Sequence, residues 1–162
     1  MALIVEDGSI VAGAESYISV TDADAYFLAR SNAAWAALDT TAKEAALRKG
    51  TDYMEARYRW RGERVSDTQA LSWPRSCVYV DGVLLASDAV PEAIRRACAE
   101  LAVRASAADL APDVGAQVKS ETVGPISVTY ADGARQTDAY KAVDAMLGPY
   151  LKGMGQVAVV RA

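Results

Sequence analysis

Histidine is absent from the 162 residues of this sequence. It is the most common general base and zinc ligand in proteins, so its absence excludes Ser-His nucleophile activation and histidine-bound zinc. The sequence also lacks the glycine-rich loops that hold phosphates in nucleotide-binding proteins. Aspartate and glutamate occur where helix caps and i,i+4 ion pairs account for them. We therefore predict that the protein is not an enzyme and binds no cofactor or metal.

Cysteine is scarce: the chain contains only Cys77 and Cys98, which form no CxxC motif. Two cysteines in a chain of this length favour buried thiols over a disulfide framework. The N-terminus lacks the basic and apolar regions of a signal peptide, and no run approaches the roughly 20 apolar residues of a membrane span. We expect a protein without a membrane partner, made in a reducing cytoplasm or in a particle assembled there.

Large apolar side chains are also few. Phenylalanine occurs once, and much of the 52% hydrophobic content is alanine, which buries little surface per residue. A monomer therefore has a thin core, and we expect modest stability or support from a partner. The net charge of −4 argues against a protein that coats duplex DNA over its whole surface.

Hydrophobic periodicity predicts a mainly α fold, a small helical bundle of about four helices with a β-hairpin insertion and extended N- and C-terminal arms. We predict a single domain over residues 1–162. Within it, residues 1–20 form an extended arm, residues 21–152 form the helical core with the hairpin, and residues 153–162 form a strand-like tail.

Capping residues and proline indicate where the helices begin. Thr21 is predicted to cap the first helix, and Asp39 begins the cap of the second, at about 41–57. Gly50 in the middle of that helix costs about 1 kcal/mol relative to alanine, which indicates a close crossing with another helix. Pro91 suits the first turn of the third and central helix.

Two segments favour β-hairpins. Asp81-Gly82 lies between apolar runs, and this dipeptide favours a type I′ turn because both residues accept positive φ. The segment fits equally a loop with two short arms, since an isolated hairpin is marginal in water. Residues 118–130 alternate in polarity on either side of Gly124-Pro125 and indicate a second strand pair.

The most unusual segment is the loop at residues 57–75, which is rich in arginine and tryptophan. The residues that we predict to form an oligomer or partner interface, or to face DNA, are Arg57, Arg59, Trp60, Arg61, Arg64, Trp73 and Arg75. One interpretation is a nucleic-acid contact, because guanidinium groups bind phosphate and aromatic faces stack on bases. A second is a protein interface, in which Trp and Arg are favoured anchors. A third is a long loop whose tryptophans pack on the core while its arginines are solvated.

The C-terminal segment, residues 153–162, is apolar and alternates like a strand. Its apolar side chains include Val157, Val159 and Val160. A free apolar strand is unusual in a monomer, because unpaired strand edges associate with other chains. We expect these valines to dock on a portal or on a sheet edge, in the same chain or in a neighbour.

Seven segments, taken in chain order, follow one pattern. The most specific are Gln69-Ala70-Leu71-Ser72-Trp73-Pro74-Arg75 and Ser120-Glu121-Thr122-Val123-Gly124-Pro125-Ile126-Ser127-Val128. The others are Glu6-Asp7-Gly8, residues 16–20 with 22–27, Trp35, Val90-Pro91 and residues 140–151. This pattern resembles small tailed-phage proteins of the head–tail connector, or adaptor, family. A similar phage set carries the label "putative DnaT-like single-stranded DNA-binding protein". Pro125 departs from the family pattern, in which we expect an acidic or polar residue at that position.

The resemblance implies a structural virion protein of the phage neck, made in the host cytoplasm. About a dozen copies would form a homo-oligomeric ring, most simply a dodecamer, that joins the portal protein to a stopper or tail-completion protein and lets DNA pass without sequence-specific binding. The family has no known catalytic residues. The loop arginines would then contact an acidic neighbour or line the wall near the DNA. The alternative is a single-stranded nucleic-acid-binding accessory protein of replication.

Overall fold

The computed structural model describes residues 2–113, 120–123, 126–129 and 139–153. In these ranges the chain is mainly α-helical, as predicted. The helices are α1 (Val20–Leu28), α2 (Ala33–Ala36), α3 (Thr40–Arg57), α4 (Glu92–Ala105) and α5 (Lys141–Leu147), and a 3-10 turn (Gly148–Tyr150) follows α5. None of these helices is both long and apolar enough to cross a membrane.

The strands of the described residues form three antiparallel pairs. They are β1 (Glu63–Arg64) with β2 (Arg75–Ser76), β3 (Tyr79–Val80) with β4 (Val83–Leu84), and β5 (Ser120–Val123) with β6 (Ile126–Thr129). The pair β5–β6 confirms the strand pair predicted over 118–130, with Ser120 opposite Thr129 and Val123 opposite Ile126. The pair β1–β2 was not predicted.

Side-chain caps fix the helix starts. The prediction that Thr21 caps α1 is wrong, because Ser19 keeps an extended backbone and its hydroxyl accepts the Asp22 N–H at 3.0 Å. Asp39 caps α3 as predicted, and its carboxylate accepts the Ala42 N–H at 2.7 Å. Satisfying these otherwise unpaired donors is what favours short polar residues at helix starts.

The core lies mainly between α3 and α4. The apolar stripe predicted on α3 is buried and comprises Leu47, Thr51, Met54 and Tyr58. The predicted close crossing at Gly50 is confirmed. A Cβ atom there would lie 3.1 Å from both the Ala102 nitrogen and the Cys98 oxygen of α4.

The two cysteines differ in their surroundings, and both are free thiols. Cys98 lies in the core as predicted, and burial raises the pKa of its thiol. The prediction of a buried thiol is wrong for Cys77, which is exposed. Cys77 has a φ of 57° in the turn between β2 and β3, and this turn directs its side chain away from the core.

The N-terminal segment, residues 2–19, is largely non-helical as predicted, but it packs on the core. Tyr17 and Ile18 are buried. The buried Glu6 carboxylate organises the first turn by accepting the N–H groups of Gly8 at 2.8 Å and Val11 at 2.9 Å. It also accepts the Ile10 N–H at 3.1 Å. These N–H groups would otherwise need water, so the segment is an integral part of the fold.

Other elements of the described structure lie near one or the other end of helix α3. It has 18 residues, so it is about 27 Å long. Its first turns lie beside α1 and α2, and its last turn leads into the arginine-rich loop. The predicted tail valines, Val157, Val159 and Val160, lie outside the described residues.

Candidate interface surfaces

The loop at residues 57–75 is anchored by its two tryptophans, as one of the sequence-based interpretations held. Trp60 is 4% exposed and Trp73 is 0% exposed. Their rings contact each other edge to face with centroids 5.8 Å apart, and Trp73 makes a similar contact with Tyr150 at 6.0 Å. Tyr58 is also buried. None of these three aromatic rings therefore has a free face for stacking on a base.

Arg75 holds the loop from inside. The residue is 8% exposed, and its guanidinium donates to three main-chain oxygens: Arg61 at 2.6 Å, Ser72 at 3.1 Å and Gly62 at 2.8 Å. Burial lowers the pKa of this guanidinium, and the nearby charge of Arg64 adds to the effect. A fork of five donors suits this task, because several carbonyl oxygens can be satisfied by one side chain.

Arg64 and Gln69 close the other half of the loop. Arg64 donates to the main-chain oxygens of Gln69 and Leu71. The buried Gln69 amide donates to the oxygens of Leu71 at 2.8 Å and Pro74 at 3.0 Å, and it accepts the Ser66 N–H at 3.0 Å. Polar side chains thus satisfy main-chain groups of a loop that has little secondary structure.

A hydrogen-bonded group joins this loop to the core. Glu55 of α3 accepts from the Tyr17 hydroxyl and from the Ser72 hydroxyl, the latter at 2.6 Å. The Tyr17 hydroxyl in turn accepts the Trp73 N–H at 3.2 Å. Burial raises the pKa of Tyr17 well above its ordinary value, and the charge of Glu55 raises it further.

The predicted site residues therefore fall into two groups. Trp60, Trp73 and Arg75 lie inside the fold. The exposed members are Arg57, Arg59, Arg61 and Arg64. Their role at an oligomer, partner or DNA interface stays a prediction.

The segment that carries Arg59 and Arg61 pairs with a second segment of the chain, which adds another exposed cation. Residues 59–61 pair with residues 150–152: the Arg61 N–H donates to the Tyr150 oxygen and the Lys152 N–H donates to the Arg59 oxygen, each at 2.9 Å. Trp60 lies opposite Leu151 in this bridge, and both point inward. Arg59, Arg61 and Lys152 are exposed. We call residues 59–61 and 150–152 the basic ribbon.

The cations of the basic ribbon carry uncompensated charge within the described residues. None of the ion pairs found there involves Arg59, Arg61 or Lys152. Arg59 donates to main-chain oxygens at the end of α3, and Arg61 donates through Nε to the Leu151 oxygen at 2.8 Å. A neutral acceptor leaves the positive charge available to a phosphate or carboxylate.

A second exposed surface is the hairpin β3–β4, which we call the apolar hairpin. Its turn residues, Asp81 and Gly82, have φ values of 50° and 80°, as the predicted type I′ turn requires. Tyr79, Val83 and Leu84 are 57%, 63% and 55% exposed. This hairpin contacts the turn Gly148–Tyr150, which lies next to the end of α3. Clustered exposed side chains of this size are typical of interaction sites.

A third surface is a groove between α1 and α2, which we call the α1–α2 groove. It has a volume of about 530 Å³, and its apolar wall includes Phe27, Leu28 and Trp35. Leu28 is 81% exposed. Lys43, in the first turns of α3, also lines the groove, so the groove and the apolar hairpin lie at opposite ends of α3.

Sequence reasoning missed Lys152 and Leu28. Lys152 enters the basic ribbon through a pairing between segments that are about 90 residues apart, and no local pattern reports such a pairing. Leu28 offered a signal, because it lies beside the core residue Phe27 on an amphipathic helix and so faces away from the core. In the described part of the chain, no cluster of three metal-ligating side chains occurs.

The fold and these surfaces define a small, mainly α-helical protein with β-hairpin insertions. A family model described as "Putative DnaT-like ssDNA binding protein" matches residues 1–162, and the chain therefore belongs to this family. The match agrees with the DnaT-like label expected from the sequence and does not extend to the head–tail connector family. Searches of curated proteins and of solved structures give no match.

Proposed function

We propose that this chain is a structural protein of the phage neck, an adaptor that forms a ring between the portal protein and a stopper or tail-completion protein. In this role it acts without catalysis or cofactor. The observation that carries the proposal is the presence of two exposed apolar surfaces at opposite ends of α3. The segment pattern that resembles connectors supports it further.

Exposed apolar surface has a cost in an isolated protein. Leu28 at one end, and Tyr79, Val83 and Leu84 at the other, each leave more than half of their surface in water. Such surface favours association, because burying it recovers about 25 cal/mol per Å². A subunit with two separate association surfaces joins two neighbours, which is the requirement for a ring.

Electron microscopy of the protein mixed with a candidate portal ring tests this function. We expect additional ring-shaped density on one end of the portal. Purified virions should also contain the chain in a fixed ratio to the portal. A protein that stays monomeric, and that joins neither portal nor virion, would contradict the proposal.

A second candidate function is binding of single-stranded DNA, which the description of the family names. The basic ribbon favours it, because Arg59, Arg61 and Lys152 are exposed and have no carboxylate partner among the described residues. Cationic grooves follow the phosphates of single strands, and exposed aromatic rings such as that of Tyr79 stack on bases. The overall charge of −4 limits such binding to a local patch.

A salt titration of oligonucleotide binding tests the second function. The logarithm of the binding constant should fall with the logarithm of the salt concentration, by about 0.7 for each phosphate contacted. Arg59→Ala and Lys152→Ala should each reduce this slope by about that amount, whereas Lys49→Ala, an exposed change elsewhere on α3, should not. Undetectable binding at low salt would rule out this function.

A further inference from the structure

We propose that the apolar hairpin and the basic ribbon form one docking face for a partner protein, which presents a segment that carries both acidic and apolar side chains. We call the two surfaces together the mixed face. The inference rests on the proposed adaptor function, since it states the chemistry of the protein that this end of the subunit contacts. The acidic groups of the partner pair with the ribbon, and its apolar groups cover the hairpin.

Tyr150 joins the two parts of the mixed face. Its main-chain oxygen accepts the Arg61 N–H at 2.9 Å within the basic ribbon. The 3-10 turn that ends at Tyr150 also contacts strand β3 of the apolar hairpin. Burial raises the pKa of the Tyr150 hydroxyl, and the charge of Asp81 in the hairpin turn raises it further, which places Asp81 near this side chain. One bound segment can therefore contact both the ribbon and the hairpin.

The cations of the ribbon require a partner that is acidic. Arg59, Arg61 and Lys152 have no carboxylate partner among the described residues, whereas Arg95 and Arg96 on α4 are each paired with one. A partner that covers the adjacent hairpin also removes water from these cations. A cation that loses its hydration without gaining an anion costs free energy, so a purely apolar partner does not suit this end of the molecule. Carboxylates opposite the ribbon supply the missing pairs.

Asp81 favours a protein over a uniformly anionic partner. It lies exposed in the turn of the apolar hairpin, and the ion pairs within the described ranges do not include it. A nucleic-acid strand or an anionic bilayer carries negative charge along its whole surface and would meet Asp81 with like charge, which opposes binding. A protein segment can place its carboxylates opposite the ribbon alone and leave Asp81 free of them.

The apolar part of the mixed face is mainly aliphatic. Val83 and Leu84 are 63% and 55% exposed, Tyr79 supplies an exposed ring, and Trp60 of the ribbon is buried. Binding of single strands uses aromatic rings on which successive bases stack, and the mixed face offers Tyr79 alone for a full stack. Exposed aliphatic side chains gain most from packing against apolar side chains of another protein.

Selection from a random peptide library displayed on phage tests the inference, with the full-length chain as the immobilised target. We expect the recovered peptides to combine aspartate or glutamate with leucine, isoleucine, phenylalanine or tryptophan. One recovered peptide is then synthesised with a fluorescent label, and its affinity is measured by anisotropy. The affinity should fall as salt rises, because exposed ion pairs are screened.

Paired variants locate the peptide on the mixed face. Arg59→Glu combined with Lys152→Glu, and Val83→Ser combined with Leu84→Ser, should each weaken the peptide by about tenfold or more. All four positions are exposed, so folding should be unaffected. A peptide with lysine in place of its acidic residues should bind the charge-reversed variant and not the wild type. The matched controls, Lys49→Glu and Leu28→Ser, are exposed changes elsewhere on the chain and should leave the affinity unchanged.

Other occupants of the mixed face are tested with the same variants. Thymidine oligonucleotides and phosphatidylglycerol vesicles replace the peptide in two further assays. Either probe binding more tightly than every recovered peptide, and losing this binding in the charge-reversed variant, would overturn the inference. A charge-reversed variant that no longer self-associates in sedimentation velocity would assign the mixed face to a second copy and would also overturn it.

The remaining outcomes separate the inference from the proposed function. Recovery of no peptide, or of peptides that lack either acidic or apolar residues, would overturn the docking face, while rings of the wild type on the portal would leave the adaptor function standing. Mixed peptides that depend on the four substituted positions support the docking face. If the portal then stays bare, the adaptor function is overturned and the docking chemistry is retained.

Discussion

Single residues of the arginine-rich loop have different physical roles, although the sequence presents them as one basic cluster. Arg75 and Arg64 donate to main-chain oxygens and hold the loop in place. Arg59 and Arg61 also keep main-chain contacts, but they remain exposed on the basic ribbon. Substituting the first pair should therefore change stability, and substituting the second pair should change binding.

Arg75→Ala should lower the free energy of unfolding by about 3 kcal/mol, because three buried or partly buried carbonyl oxygens lose a charged donor. The three bonds measure 2.6, 3.1 and 2.8 Å. Urea denaturation followed by tryptophan fluorescence measures the change. The exposed Arg57→Ala serves as the control and should stay within about 0.5 kcal/mol of the wild type. Equal stability of the two variants would show that Arg75 does not hold the loop.

Tyr17 should make stability depend on alkaline pH. Burial raises its pKa above the ordinary value of 10.0, so the folded protein keeps a proton that the unfolded chain loses near that pH. The contribution is complete below pH 10 and is lost progressively as pH rises above it. Between roughly pH 10 and 11.5, the wild type should lose about 1.4 kcal/mol per pH unit more than Tyr17→Phe. Parallel pH profiles from urea denaturation would contradict this prediction.

Local chemistry in the sequence predicted several of these residues correctly. Asp39 was predicted as a cap because a short carboxylate satisfies the first N–H groups of a helix. The burial of Trp60 and Trp73 followed one of three interpretations that the sequence left open. The sequence did not distinguish Arg75 from Arg59, because both are arginines near tryptophan and only the folded loop shows which guanidinium is enclosed.

Among the elements, the crossing of α3 and α4 depends on Gly50. A Cβ atom there would approach main-chain atoms of Cys98 and Ala102 at 3.1 Å. Main-chain atoms of a packed helix do not move aside as the end of a flexible side chain does. The two helices therefore lie so close at this point that a Cβ atom would force them slightly apart.

Gly50→Ala should destabilise the protein by about 1 kcal/mol, although alanine gains about 1 kcal/mol of helix propensity over glycine. Gly50→Leu should cost about 3 kcal/mol or more, because α4 must shift. Thermal denaturation of both variants gives the order. The control is Ala45→Gly at an exposed position of the same helix, which should lose about 1 kcal/mol through propensity alone. A Gly50→Ala variant that is more stable than the wild type would contradict the tight crossing.

Elements that are determined by residues close together in the sequence were predictable. Elements that depend on pairing between residues far apart in the sequence were not. The turn Asp81-Gly82 defines β3–β4 by itself, because few dipeptides accept positive φ at both positions. The pair β1–β2 and the basic ribbon depend on contacts between distant segments. The start of α1 moved from Thr21 to Ser19, since two hydroxyl residues compete for the cap and the backbone geometry decides between them.

At the scale of the whole molecule, α3 separates two exposed apolar surfaces. The α1–α2 groove lies at its beginning, and the apolar hairpin lies near its end beside the basic ribbon. The sequence predicted a thin core, with either modest stability or support from a partner. Under the proposed function, the exposed side chains of Leu28 and Val83 are where a partner would bind. Membership of the DnaT-like family applies to residues 1–162, and the adaptor function is our proposal for this member.

Because the apolar groove and the basic ribbon lie at different ends of α3, one pair of variants can distinguish the two candidate functions. Leu28→Asp should prevent association without changing oligonucleotide binding, because the groove lies at the end of α3 opposite the basic ribbon. Arg59→Ala should reduce oligonucleotide binding without preventing association. Sedimentation velocity and fluorescence anisotropy measure the two properties. Ala29→Asp is the matched charge control, since it adjoins Leu28 but does not line the groove. Loss of both properties in either variant would show that the two surfaces are not independent.

Electron microscopy of the purified chain with a candidate portal ring tests the central claim most directly. The proposal predicts a closed ring of this protein on one end of the portal, and a Leu28→Asp variant that fails to form it. Portal rings that remain bare, while the chain sediments as a monomer at every concentration, would contradict the account.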